Sequence, residues 1–172
     1  MSDEAILGWF TGRVPDHWFD APLQVRTDRD EVIVIGTLPV PDVGDAGESA
    51  RREAEYSRID AFREETRKKR MEIAGLAEHH FGRKVSWSAR CGETHLVFTH
   101  LSAPTMTRLR MPERRVLDTL IDAGVARSRS EALQWCVKLV GRHEGAWLAD
   151  LRTALEDVEA VRTRGPASDD SD

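Results

Sequence analysis

The sequence predicts an α+β protein in two parts: a ββ–α–ββ unit over residues 1–103, then a short strand and three helices over 104–164, with a disordered acidic tail at 165–172. Three observations lead there. β-branched residues crowd "EVIVIGT" at 31–37, which suits a strand buried on both faces. A stretch free of proline runs from Ser49 to Phe81, with Ser49 able to cap it and Gly82 able to close it, as a helix requires. After Pro104 a brief alternating segment gives way to three apolar patterns of helical period.

The totals are those of a folded, charge-rich globular chain: 172 residues, 40% hydrophobic and 32% charged. No apolar run approaches the ~18 residues that a bilayer span needs. The start "MSDEAILGWF" carries acids where a signal peptide carries basic residues, so a cytoplasmic protein with no membrane partner is expected. Cys91 and Cys136 are the only cysteines and read as free thiols. A net charge of −5 argues against a generic nucleic-acid binder, but the charge is uneven. Residues 104–143 hold eight Arg and Lys against four acids, whereas 144–172 hold three against eight.

In the first part, "PLQVRTDRDEVIVIGTLPVP" reads as two strands, near 23–27 and 31–38, joined by a turn at "DRD". Residues 39–49 have Pro, Gly and Asp without periodicity and read as a loop. In the long helix Tyr56, Ile59 and Phe62 share one face, and Ile73, Leu76, Ala77 and His80 form a second patch. Between the two, "REETRKKRME" is polar all round, so the helix centre should be solvated, with Glu64–Lys68 and Glu65–Lys69 as i,i+4 pairs. "KVSWSARCGETHLVFTHL" reads as a hairpin with strands near 84–90 and 94–100 around a "CGE" turn.

In the second part, "TMTRLRM" at 105–111 alternates like a strand. "PERRVLDTLIDAG" is a helix of about three turns, with Pro112 suited to its first turn and Gly124 to its stop. "SRSEALQWCVKLVGRH" is a second helix, with Ser128 as cap and Glu131 completing a capping box. "EGAWLADLRTALEDVEAVRTRG" is a third, with a stripe of Trp147, Leu148, Leu151, Leu155, Val158 and Val161 or Arg162.

Strand, helix, glycine turn, capped helix: over about 104–142, on "RLRMPERRVLDTLIDAGVARSRSEALQWCVKLV" and above all "GVARSRSEAL", the chain resembles the ribbon–helix–helix proteins, the MetJ/Arc class of DNA-binding regulators. A lone seven-residue strand needs a ladder partner, and one strand with two short helices buries too little apolar surface to stand alone. The resemblance implies an intertwined homodimer through 105–142, its two strands paired antiparallel and its four helices sharing a core. Val116, Leu117, Leu120 and Ile121 supply the apolar face of the first helix. Ala132, Leu133, Cys136, Val137 and Val140 supply that of the second, and the third helix is the natural cover for Trp135 and Leu139.

Strand alternation turns Thr107, Leu109 and Met111 toward that core and Met106, Arg108 and Arg110 outward. A two-stranded ribbon of this kind enters the major groove, so Met106, Arg108 and Arg110 are the candidate base contacts. Arg127, Ser128, Arg129 and Ser130, at the start of the second helix, are the candidate phosphate contacts, since a helix N-terminus presents unpaired N–H groups and partial positive charge. Two copies could neutralise roughly six phosphates, for a salt slope of about −5. The bland alternative is that Ser128 only caps and the arginines are solvated.

Other signals are weaker. His79, His80, Cys91, His95 and His100 lack the closely spaced, converging pairs of a zinc site, and no metal or cofactor is expected. "GWF" at 8–10 and "HWF" at 17–19 read as packing on the hairpin core, or as a partner-binding patch. No G-x-S-x-G, phosphate-cradling glycine loop or H-E-x-x-H is present, so no enzyme is expected. The expectation is a homodimeric, sequence-specific DNA-binding protein and transcriptional regulator, with an N-terminal half that senses a signal, binds a protein partner or extends the dimer. The rival is a protein-interaction adapter that uses the same helices only to dimerise.

Overall fold

A computed structural model describes residues 2–164; the expected acidic tail at 165–172 lies outside the described residues. The chain is α+β and divides between Thr105 and Met106 into two compact units.

The first unit is built on a four-stranded sheet in the order β1-β2-β3-β4: β1 (Gln24–Thr27), β2 (Glu31–Thr37), β3 (Lys84–Cys91) and β4 (Thr94–Val97). β1 and β2 form an antiparallel hairpin whose turn is fixed by the Asp28 carboxylate, which accepts the N–H groups of Asp30 and Glu31. β3 and β4 form a second hairpin through Gly92, whose φ of +53° favours glycine. The two hairpins join through β2 and β3, which run parallel, Glu31 opposite Lys84 to Thr37 opposite Arg90. A parallel pair needs a long crossover, and two helices supply it, α2 (Glu48–Glu65) and α3 (Arg67–Phe81).

Two expectations are corrected here. A helix that the sequence does not announce, α1 (Asp3–Thr11), precedes the sheet, capped by Ser2 and burying Ile6 and Phe10. The expected single helix over 49–81 is interrupted at Thr66, and its centre is not fully solvated. Arg70 turns inward, its guanidinium donating to the Thr66 hydroxyl at 2.9 Å and to the Arg63 carbonyl freed near the break. It also lies 4.7 Å from the Phe98 ring centre, and burial pulls its pKa down to about 10. Lys69 pairs with Glu72, not with Glu65.

The core is aromatic. Phe10, Trp18, Phe62 and Trp87 meet edge to face with Val32, Val34 and Ile59 beneath them, so both N-terminal aromatic pairs contribute to packing. The Phe19 ring lies so close over Gly36 that a Cβ there would fall 2.1 Å from it. Glu55 is buried and accepts the Thr94 hydroxyl at 2.7 Å, tying α2 to β4.

The second unit has α4 (Met111–Asp122), α5 (Arg129–His143) and α6 (Gly145–Arg164). α4 ends in a Schellman turn: Gly124 at φ +73° donates to Ile121 and Val125 donates to Leu120, both at 2.9 Å. Leu117, Ala126 and Ala132 are its buried apolar residues, with Leu109, Leu120, Leu133 and Cys136 packed around them.

Candidate nucleic-acid interface

Residues 98–110 belong to no helix or strand in the single chain. The expected strand at 105–111 is therefore corrected on two counts. It has no ladder partner here, and without one a strand has nothing to bond to. Met111 also belongs to α4: Pro112 fits the first helical turn, so the helix begins one residue earlier than its proline. Met111 is accordingly exposed instead of core-facing, and Thr107 is exposed as well. Leu109 does turn inward, onto the Leu117 cluster. The Arg114 guanidinium donates to the Leu109 carbonyl at 2.7 Å and fixes this junction, and the backbone is extended at Arg110, with φ −81° and ψ 175°.

Met106 is 98% exposed, and Arg108 and Arg110 are exposed on the same segment. Neither arginine has an ion-pair partner among the described residues. Thr105 and Thr107 are exposed as well, so the exposure does not distinguish the two sides of the expected strand. An exposed guanidinium with no carboxylate on it keeps its five donors for an external acceptor.

The start of α5 differs. Ser128 caps the helix, its hydroxyl accepting the Glu131 N–H at 3.3 Å. The return bond of the expected capping box is displaced by one residue: the Glu131 carboxylate accepts the N–H of Arg127, at 2.8 Å, instead of that of Ser128. It also accepts the Arg127 guanidinium at 3.1 Å. Arg129 makes a two-pronged contact to Asp118 of α4, at 2.7 and 2.8 Å. These hydrogen bonds hold the Asp118 and Glu131 carboxyls below the usual carboxylate range and push both arginines upward. Carboxyls depressed in this way contribute in full above their unfolded pKa and lose that contribution as the pH falls through the folded one. Of the four candidate phosphate contacts, Ser130 alone engages none of the hydrogen-bonded groups just described, while Arg127 and Arg129 are each satisfied by a carboxylate. The Arg127–Glu131 pair was legible as an i,i+4 spacing; Asp118, eleven residues from Arg129 and across a turn, was not.

The apolar faces of α4 and α5 are only partly used. Val116, Val137 and Val140 stay exposed, Val137 at 65%, although they lie on the faces that carry Leu117 and Ala132. Trp135 and Leu139 are half-buried, and α6, expected to cover them, buries none of its own side chains.

Elsewhere, Cys91 is buried in the sheet with its thiol pushed up, chiefly by burial. His95 faces the Ser88 hydroxyl, its pKa lowered by burial and then by Arg90 and Arg26. Among the described residues no three His, Cys, Asp or Glu side chains converge as metal ligands, and no helix is long and apolar enough to cross a membrane.

Residues 4–97 match the family model described as the Rv1265-like protein, N-terminal domain. The chain belongs to the Rv1265-like family. Residues 110–162 match a second model from the same group, the Mb1296 C-terminal domain. The uncharacterized protein Mb1296 of Mycobacterium bovis and the uncharacterized protein Rv1265 of Mycobacterium tuberculosis are relatives. Each is 52% identical over 158 residues, which covers 92% of this chain and 69% of the relative. These names state no activity. Met106 and Arg108 fall in the interval between the two matched domains, and Arg110 opens the second. No solved structure matches the chain.

Proposed function

We propose that the chain is a homodimeric, sequence-specific DNA-binding protein and transcriptional regulator. In this reading residues 105–110 of two copies pair antiparallel as a ribbon that enters the major groove. One observation carries it: a segment with two arginines that no carboxylate occupies stands beside α4 and α5 faces left half-covered in one copy. Pairing two copies gives the segment its missing hydrogen-bond partners and covers Val116, Val137 and Val140 in the same step. Arg108 and Arg110 then offer bidentate donors to guanine O6 and N7, and Met106 an apolar contact. Arg127 and Arg129 act first as struts that hold the start of α5. Phosphate contact there falls to Ser130 and the free N–H groups of the helix N-terminus.

The adapter reading has its own support in Asp118 and Glu131, which pair with both arginines of the expected clamp. The two readings separate in a binding experiment with the full chain and genomic DNA fragments, in excess competitor DNA, at low and moderate salt. Selected fragments should survive competition, and Arg108→Ala or Arg110→Ala should each erode base discrimination by about 1–3 kcal/mol, roughly 5- to 150-fold. Wild-type selectivity in both variants removes the ribbon from the mechanism. An absence of binding at either salt leaves the adapter.

A further inference from the structure

The most exposed apolar surface of the second unit lies on α6. Twenty residues, about 30 Å of helix, bury no side chain, and Trp147, Leu151, Leu155, Val158 and Val161 are all open to solvent while Leu148 is half-covered. The spacing is ordered. Leu148, Leu151, Leu155 and Val158 repeat by three, four and three residues, the seam of a two-stranded coiled coil, with Leu148 and Leu155 at a positions and Leu151 and Val158 at d positions. The continuation of the seam is polar at both ends. Glu144, whose carbonyl accepts the first bond of the helix from Leu148, occupies the preceding d position, and Arg162 the following a position.

We infer that α6 is a second self-association element, pairing antiparallel with α6 of another copy of this chain. Charge selects both the occupant and its direction. In an antiparallel pair each a residue faces a d residue of the other helix. Centring the seam sets Leu151 against Leu155 and Leu148 against Val158 of the second copy. The same register brings Glu144 opposite Arg162 at both ends. The flanks also agree. Trp147 and Val161, both at g positions, meet each other across the pair, which accounts for two exposed apolar residues lying off the seam. Arg152 and Glu159, both at e positions, lean toward each other as opposite charges. Glu159 also has Arg162 within 3.5 Å on its own helix, an exposed contact that leaves its second oxygen accessible. A parallel pair would set Arg152 beside Trp147, Glu159 beside Ala154 and Arg162 beside Arg162. It matches no opposite charges and juxtaposes two like ones. Two heptads are short for a free-standing coiled coil, so the pair works alongside other contacts between copies.

The test uses the full chain. Ala154→Cys sits at the g position on the twofold axis of the antiparallel pair, and Val158→Cys at the seam position that would face itself in a parallel pair. A short bis-maleimide should link Ala154→Cys chains through residue 154, identified by peptide mass to separate it from Cys136, and should leave Val158→Cys unlinked at 158. In sedimentation, Arg152→Glu and Glu159→Arg should each weaken association about tenfold, and the double variant should return to within about twofold of wild type. Efficient linkage at 158, or none at 154, overturns the inference. So does a double variant no better than either single, which is the result expected if α6 docks on α5 or on a different protein. Arg108→Ala serves as the control: its effect on DNA selectivity leaves linkage at 154 unchanged.

Discussion

The sheet unit buries Phe10, Val32, Val34 and Ile59 completely, within one cluster of fourteen buried apolar residues among the described ones. The helical unit buries Leu117, Ala126 and Ala132 and leaves Val116, Val137, Val140 and most of α6 in contact with water. Both halves carry apolar patterns of similar clarity in sequence, so the difference is not one of composition. The sheet unit has strands for each other and helices to cover them within one chain. The helical unit has a segment with no ladder partner and helices whose apolar faces extend past the neighbours available to them. What this teaches is that an exposed apolar stripe on a well-patterned helix reports a missing surface more than a weak pattern.

The comparison can be broken most directly at the sheet unit's centre. Phe10→Ala should destabilise that unit by about 3–5 kcal/mol, because a large ring is lost from a site with no solvent access and the neighbouring rings cannot collapse into the gap. Urea unfolding monitored by tryptophan fluorescence measures it, and the midpoint should not change with protein concentration. The helical unit should behave in the opposite way. Val137→Asp alters a side chain 65% exposed in the single chain. If one copy were the complete unit, the change would fall within about 0.5 kcal/mol. If a second copy covers Val137, the change buries two unpaired carboxylates and should weaken association at least about 100-fold by sedimentation equilibrium. An unchanged dimer in Val137→Asp would make the two units alike.

The smallest effect tests the ion pairs at the start of α5. Asp118→Asn releases Arg129, one more cation for each copy. On the DNA-binding reading, the log–log dependence of affinity on salt should steepen by about 2 for a dimer, at about 0.9 per added phosphate contact. The wild-type slope should be shallower than the −5 expected when all four clamp arginines of a dimer are counted. A slope unaffected by Asp118→Asn would place Arg129 away from the phosphates.

Much of the site was legible in the chain. Ser128 as cap and Gly124 as stop followed from residues within a few positions of one another; the alternation read over 105–111 did not carry through, since Thr107 is exposed along with Met106, Arg108 and Arg110. The start of α4 was read one residue late because Pro112 was assigned to the first helical position, and a proline fits the second equally well. The occupation of Arg129 by Asp118 was hidden because it depends on how α4 folds back on α5. In the first unit the break at Thr66 was missed for a related reason. Nothing local at "REETRKKRME" demands it, and the inward path of Arg70 exists only because Phe98 waits on the next hairpin.

By itself the sequence determined many of the local states: that α4, α5 and α6 are helices, where α4 stops and α5 starts, which hairpin turns close, and which faces are apolar. Those depend on backbone dihedrals, capping groups and side-chain period, all set within about one turn of chain. The tertiary structure decided the parallel seam of β2 on β3, the packing of Phe19 over Gly36, the burial of Arg70 and Glu55, and the Asp118 carboxylate that holds Arg129. Each of these is a meeting of groups distant in sequence, whose energy exists only once the chain has brought them into contact.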